Sequence, residues 1–394
     1  MKKTVRDVDV TGKKVLVRVD YNVPIDNETG VISDDNRIKA SLPTLHYLIE
    51  HKARILLCSH LGRPDGKIIE KLRMKPVAER LSQLIHKAVS TVSDCTGSTV
   101  QKAIEKIGEG DILLLENLRF HPQEELNDDA FAHDLAALAD VYVNDAFGTA
   151  HRAHASTVGV AKYLPAVAGF LMETELEVMS KLLNSPEHPF ACITGGAKIS
   201  DKMDLMQNMM DKIDVMLIGG GMIATILKSQ GMDTGKSLVE DDKLDLAREL
   251  LIKAEEKKIS LVLPTDVLVT ENIKTGDNNT TVHINEIPQN SYIVDIGPES
   301  MKLFSQKLEN CRTIMWNGPM GIFEIPTYAN GTKAIAQFLA DSNAVTVVGG
   351  GSTAEAIYEL GLADKISHVS TGGGASLQFL EGKTLPGIAA LQDK

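Results

Sequence analysis

The segment "VVGGGSTAEA", Val347–Ala356, is an apolar run that stops at three glycines and then turns helical. An apolar stretch such as "AVTVVGG", with no polar alternation, reads as a strand buried on both faces, as in a parallel sheet. Glycines let backbone amides approach a ligand closely, and a following helix points its positive end to the same place. Ser352 and Thr353 suit a helix start, where hydroxyls cap exposed amides and bond phosphate oxygens. The segment thus reads as strand end, amide cradle and helix N-terminus in succession.

The same rhythm extends in both directions. "FACIT", "DVMLIGG", "ISLVLP" and "RTIMWNG" precede it, and "KVLVRV", "RILLCS", "DILLLEN" and "DVYVND" occupy the first half. Helical segments separate these runs, which indicates βαβ units and a mostly parallel sheet in each half. A length of 394 residues exceeds one ordinary core and suits two. Aromatics are only 4%, and small aliphatic residues dominate, in keeping with layered packing on parallel sheets. The fold class is therefore α/β, two Rossmann-like domains with helices on their sheets. "LMETELEVMSKLLNS", Leu171–Ser185, is a helical segment that meets "PEHP", which cannot continue a helix. It is expected to connect a domain at 1–170 to a domain at 187–377, with 171–186 as the connector.

A net charge of −12 argues against nonspecific nucleic-acid binding and against anionic membrane surfaces. No apolar h-region follows the basic start "MKKTVRDVDVTGKK", and no run approaches a membrane span. Cys58, Cys95, Cys192 and Cys311 are scattered without a CxxC pair, as expected of reduced thiols in a cytoplasm.

Arginine is unevenly distributed. Nine of the eleven arginines precede residue 153. Arg37 in "DDNRIK", Arg63 in "HLGRP", Arg119 in "ENLRF" and Arg152 in "AHRAH" lie in loop-like contexts, three of them after strand runs. Any one alone reads as a solvated surface arginine. Four together, with His60 and His151, suggest guanidinium forks converging on a small, multiply charged acid. The second half uses glycine instead, in "CITGGAKIS", "LIGGGMI", "VVGGGSTAEA" and "VSTGGGAS". One glycine triplet reads as tight helix–strand packing; several in one domain suggest a nucleotide phosphate site. Lys198 and Lys202 follow the first pair and share a face if that segment is helical.

Three readings drop out. "GMDTGKS", Gly231–Ser237, has three residues between its glycines rather than four and follows a helical segment, so it is no Walker loop. No glycine trio has dinucleotide spacing, which disfavours a nicotinamide-dependent dehydrogenase. "HRAH" lacks a third metal ligand nearby in sequence. One domain for a small acid and one for a phosphate tail is the layout of a phosphotransferase. No activated nucleophile stands out, which favours direct transfer by positioning and charge.

"KVLVRVDYNVP", Lys14–Pro24, resembles the signature of the phosphoglycerate kinase family. The likeness continues through "SHLGRP", "LLENLRF", "VNDAFGTAHRAHAS", "GGAKISDK", "WNGPMGIFE" and "STGGGAS", essentially the whole chain. It implies reversible phosphoryl transfer from 1,3-bisphosphoglycerate to ADP, giving 3-phosphoglycerate and ATP, with magnesium, in a cytoplasmic monomer. By the resemblance, Asp20 and Asn22 bind the glycerate portion, and Arg37, His60, Arg63, Arg119 and Arg152 form a basic patch around the acid. Lys198 and Lys202 contact the transferring phosphoryl group and the nucleotide phosphates. Asn317, Glu324, Gly196 and Gly220 fall on the nucleotide side, with Glu324 at the ribose. Gly350, Gly351, Ser352 and Thr353 match the phosphate loop, and Gly373 and Gly374 the amides beside the reaction centre. It further implies a hinge helix around Glu175, a cleft that closes, and a C-terminal tail, 378–394, packed back on the first domain.

The chain departs from the family at two positions. Ser352 stands where an aspartate usually helps to hold the nucleotide's magnesium, so the metal is expected to rest mainly on phosphate oxygens and water, with Ser352 contributing at most its hydroxyl. Ile293 stands where many members have glycine, near the expected adenine pocket. A competing reading is a binding protein of this fold, with weakened turnover for want of the metal ligand; intact Arg37, Lys198, Lys202 and Glu324 argue against it.

Overall fold

The apolar runs become two six-stranded parallel sheets in a computed structural model that describes residues 1–26, 29–276 and 278–394. The chain divides into two units, Met1–Glu177 with Thr384–Lys394, and Val178–Lys383. The first unit contains β1 (Lys14–Val19), β2 (Arg54–Cys58), β3 (Val89–Thr91), β4 (Ile112–Leu114), β5 (Val141–Asp145) and β6 (Ala166–Ala168), in the order β3-β4-β2-β1-β5-β6. Val15, Val17 and Val19 on one face of β1 join Ile55, Leu57, Leu114, Val141 and Val143 in one core. Only the short edge strands β3 and β6 escape the sequence pattern. Two of the three β3 residues are exposed, so no apolar run marks it.

The second unit contains β7 (Phe190–Thr194), β8 (Val215–Ile218) and β9 (Ser260–Val262). There follow β10 (Asp266–Thr270), β11 (Thr280–His283) and β12 (Tyr292–Ile296), then β13 (Thr313–Asn317), β14 (Val345–Gly349) and β15 (His368–Val369). The parallel sheet has the order β15-β14-β13-β7-β8-β9. With the insertion set aside, this is the doubly wound 3-2-1-4-5-6 order, whose direction reverses between β7 and β13. The insertion, β10 to β12, is a separate antiparallel sheet with β10 central. β11 is polar and almost wholly exposed, so no apolar run marks it, whereas β10 and β12 are mostly buried and do carry apolar residues. In each parallel sheet the first strand has neighbours on both sides, and ligands of such sheets bind beyond the carboxyl ends of the strands at that point.

The expected connector is a helix, Phe170–Asn184, and the division between the units falls within it. Its first turn is anchored in the first unit. Thr44 Oγ1 accepts from the Phe170 amide at 2.8 Å, and Asp145 Oδ1 from Leu171 and Met172 at 2.9 and 3.3 Å. These bonds satisfy amides that a helix start leaves free. Arg6 lies 4.1 Å over the Phe170 ring and pairs with Glu173 at 2.6 Å. Glu175 is fully buried. The segment Thr384–Lys394 belongs to the first unit, where Gly387 donates to Ala150 O at 2.8 Å and Lys3 donates to Gln392 O at 2.8 Å. All four cysteines are free and buried. No helix among the described residues is long and apolar enough to cross a membrane.

Candidate active site

In the first unit the expected basic residues stand at the carboxyl ends of β1, β2, β4 and β5. Asp20 and Asn22 follow β1. Arg37 Nη1 donates to Asp20 Oδ2 at 2.5 Å, and Asn22 Oδ1 accepts from the Gly62 amide at 2.8 Å. That bond ties the β1 loop to the β2 loop, which carries His60 and Arg63. His60 is buried, and its pKa is held well below the usual imidazole value, first by burial and then by Arg18, Arg119, Arg37 and Arg152. Four guanidiniums therefore surround one neutral imidazole. Arg119 Nη1 donates to Gly62 O at 2.8 Å. Its Nε lies 3.1 Å from Glu125 Oε1 without the alignment of a hydrogen bond. Arg152 Nε is 3.2 Å from His151 Nε2. Arg63 is exposed and bonds to none of the described residues. The structure thus gathers Asp20, Arg37, His60, Arg119 and Arg152, and leaves Arg63 at the rim.

Sequence reasoning missed the buried layer beneath. Arg18 is 1% exposed, inside β1. Its Nε donates to Ser156 Oγ at 2.8 Å, and Ser156 Oγ donates to Glu124 Oε1 at 2.6 Å. Ser156 N also bonds Glu124 Oε2, at 2.9 Å. Burial raises the pKa of Glu124, while Arg18 and Ser156 pull it down. Arg18 Nη2 reaches His60 Nδ1 at 3.2 Å. A charge inside the otherwise apolar "KVLVRV" was the available signal, because an arginine there has to find partners.

The second unit gathers its residues at the ends of β7, β13 and β14. A cavity of about 160 Å³ is lined by Gly196, Lys198, Lys202, Asn317, Gly350, Gly351, Ser352 and Thr353 among others. Lys198 and Lys202 share it without sharing a helix face. The segment after β7 is a loop, and the next helix, Met203–Met209, begins only after Lys202. Lys202 Nζ donates to Asn317 Oδ1. The Asn317 side chain is buried, its Nδ2 has no partner, and it flanks Gly350. Such an amide is a donor prepared for an acceptor that a ligand would bring. Burial lowers the Lys202 pKa. Lys198 is exposed at the cavity and makes no hydrogen bond among the described residues.

The glycines divide by what a Cβ would meet. At Gly220, with φ +71°, a Cβ would lie 2.5 Å from Gly196 N, so this glycine packs the β8 loop on the β7 loop. At Gly351 nothing lies within 4 Å, so its backbone faces open space. Gly350, φ +90°, caps the helix Gly351–Glu359, and no side chain caps it. The expected hydroxyl caps are therefore absent. Ser352 is exposed in the first turn, and Thr353 Oγ1 accepts from Gly318 N at 2.7 Å, holding the β13 loop. Gly373 caps the helix Gly374–Leu380. Glu324 is exposed, outside this cavity. The rejected "GMDTGKS" follows the helix Ile223–Ser229 and packs its Gly235 on Ser291 O, as a structural turn.

The family model described as Phosphoglycerate kinase matches residues 5–383. The chain belongs to the phosphoglycerate kinase family. The phosphoglycerate kinase of Pelotomaculum thermopropionicum is 56% identical over 100% of both chains. That of Dictyoglomus turgidum is 55% identical, again over 100% of each. The solved phosphoglycerate kinase of Coxiella burnetii has a TM-score of 0.88 at 41% identity, covering 99% of this chain and 98% of that one. The Pyrococcus horikoshii enzyme has a TM-score of 0.87 at 32% identity, covering 99% and 98%.

For a member of the phosphoglycerate kinase family, the chemistry around Ser352 is informative. Asp201 is the one carboxylate lining the cavity; it is exposed and stands beside Lys198 and Lys202. Two ammonium groups, one carboxylate and two hydroxyls suit phosphate oxygens better than a magnesium ion bound directly by protein, since magnesium favours carboxylate and water oxygens. Ile293, the other departure, is buried in β12 and donates its amide to Ser237 Oγ at 2.9 Å.

Proposed function

We propose that the chain catalyses reversible phosphoryl transfer from 1,3-bisphosphoglycerate to ADP, giving 3-phosphoglycerate and ATP. The observation that carries this reading is the pairing of an arginine-lined site with an amide-and-lysine-lined site, with no side-chain nucleophile needed in either. In this reading the first unit takes the glycerate compound, with Asp20 and Asn22 toward the glycerate and Arg37, His60, Arg63, Arg119 and Arg152 toward its charges. The second unit takes the nucleotide phosphates on Lys198, Lys202, Asn317 and the Gly350–Thr353 turn, with Glu324 toward the ribose.

The acyl phosphate is already activated, and its leaving carboxylate needs no general acid. The nucleophile is an ADP phosphate oxygen, so no base is required either. Catalysis reduces to alignment and to stabilising charge on the transferring phosphoryl oxygens. Arg37 and Lys198 take that role, with the amides near Gly350 and Gly373. The Asp20 pairing pre-sets Arg37 and limits the reorganisation needed when substrate arrives. Magnesium, when bound, would neutralise charge on the phosphate oxygens that hold it. Transfer also requires water to be kept from the acyl phosphate. We assign the helix Phe170–Asn184 as the connector through which the two ligands are brought together. The enzyme acts in the cytoplasm in this reading, which the four unpaired, buried thiols support, and it acts as a monomer.

The test is ATP-dependent phosphorylation of 3-phosphoglycerate, coupled to NADH oxidation. Turnover is expected. Its absence at saturating magnesium, with ligand binding retained, would leave a binding protein of this fold and overturn the proposal.

A further inference from the structure

Away from both anion sites, the adjacent strands β3 and β4 bring together three side chains of metal-ligating type. Asp94 and Cys95 lie in the loop after β3, and His121 follows the turn Leu118–Phe120 after β4. One ligand atom from each lies within 4.8 Å of the others. We propose that Asp94, Cys95 and His121 bind a thiophilic divalent cation of the zinc class.

The groups are already oriented toward one another. His121 Nε2 is 2.8 Å from Asp94 Oδ1, and the Cys95 amide donates to that same oxygen at 2.7 Å. The His121 ring is stacked on Phe131 with centroids 5.0 Å apart, which limits its rotation. The Cys95 thiol is buried and donates to Glu116 O, with Sγ 3.1 Å from that oxygen. Ligands on tetrahedral zinc stand roughly 3.3–3.6 Å apart, given bond lengths of about 2.0–2.3 Å. Reaching that spacing asks the 2.8 Å Asp94–His121 pair to open and the thiol to draw in, both by small side-chain rotations. Asp94 and His121 can make them, with side chains 49% and 29% exposed. Thiolate, imidazole and carboxylate, with water completing the tetrahedron, form a zinc donor set. On binding, the S–H bond breaks, the sulfur lone pair forms the metal bond, and the proton passes to solvent; His121 gives up its Nε2–H bond to Asp94 and carries its ring proton on Nδ1, which frees the Nε2 lone pair for the metal. Magnesium, which favours six oxygen ligands, does not compete here.

The test uses the full chain, stripped with a chelator, and zinc alone. Competition against a chromophoric chelator should give one tight zinc per chain, with proton release in weak buffer and a raised thermal midpoint. Excess magnesium should leave the zinc in place. Cobalt should show a thiolate charge-transfer band that Cys95→Ser abolishes. Cys95→Ser and His121→Ala should each weaken zinc by more than the roughly 10- to 100-fold that losing an outer partner costs. Circular dichroism checks folding. His121→Ala, at a partly exposed position, keeps the test decisive if Cys95→Ser unfolds. The proposal fails if wild type leaves zinc on the chelator, or if either folded variant binds zinc as tightly as wild type.

Discussion

The two proposed anion sites draw on different parts of the chain. The first unit presents side chains: Arg18, Arg37, Arg119 and Arg152 around His60. The second presents backbone at Gly350 and Gly351, with Lys198, Lys202 and the Asn317 amide beside it. Guanidiniums supply directional forks that can distinguish a carboxylate end from a phosphate end. Amides at helix starts hold phosphate oxygens of any phosphate tail. The side-chain site therefore suits recognition of a particular acid, and the backbone site suits a nucleotide's repeated phosphates. The two should respond differently to substitution.

The largest effects are expected where each site touches the transferring group. Arg37→Ala and Lys198→Ala should each lower kcat about 10²- to 10³-fold, the cost of losing one charge-stabilising donor. Arg63→Ala, at the exposed rim, should act mainly on the KM for 3-phosphoglycerate. Steady-state kinetics in both substrates separates these effects. If Arg63→Ala lowered kcat as far as Arg37→Ala, the distinction between rim and centre would not hold.

Next in size is a contrast between two glycines of the backbone site. Gly220→Ala places a methyl 2.5 Å from Gly196 N at φ +71°. A left-handed alanine costs about 1–2 kcal/mol, and overpacking adds about 1–3 kcal/mol, so its unfolding midpoint should fall clearly. Gly351→Ala meets nothing within 4 Å. It should fold as wild type and bind ADP more weakly, because the methyl enters the space left for phosphate. Denaturation and ADP titration on both variants provide the check. Equal loss of stability would mean that the open glycine is also a packing glycine.

This pair also explains what was legible in sequence. Glycine runs after strands marked the phosphate side, but the letters did not separate Gly220, which packs loops, from Gly351, which faces open space. That difference is made by residues distant in sequence. Most strands of the two parallel sheets were legible because continuous apolar runs follow from burial on both faces, while the short edge strands β3 and β6 were not. β11 was not, since an exposed strand held by its neighbour has no reason to be apolar. Arg119 and Arg152 were legible as cations in turns after strands; Arg37 was expected in a loop and stands instead in the first turn of the helix Asn36–Glu50. Arg18 and Glu124 were not, because their meaning lies in the relay through Ser156, which joins residues far apart in the chain.

Each unit also holds a buried acid at a helix start, with a pKa raised by burial to about 7: Asp145 at the helix Phe170–Asn184, and Asp295, which accepts from Gly331 N at 2.8 Å. Both have an ordinary value of 3.8, so the folded state binds the proton more tightly than the unfolded state. The resulting stability is fully present below pH 3.8 and is lost as pH rises through about 7. Asp145→Asn keeps an acceptor for the Leu171 amide and removes the titration. Its unfolding free energy should therefore decline less than that of wild type between pH 5 and pH 7.5, a window of roughly these values. Identical pH slopes in the two proteins would remove Asp145 as a source of the dependence.

The smallest expected effect is at Ser352. The hydroxyl is exposed in the first turn of the helix Gly351–Glu359 and caps nothing. If magnesium rests on phosphate oxygens and water, Ser352→Ala should change magnesium–ADP affinity by less than about threefold, which is under 1 kcal/mol. Ser352→Asp should tighten magnesium–ADP roughly fivefold, about 1 kcal/mol, the size of one added polar contact. Without magnesium the same carboxylate should weaken ADP, because it then repels the phosphates with no cation between. Calorimetric titrations of ADP onto both variants, with and without magnesium, read this reversal of sign directly. Loss of all magnesium dependence in Ser352→Ala would make the hydroxyl itself an essential ligand, and the backbone site would then depend on a side chain for its metal as the other site does for its acid.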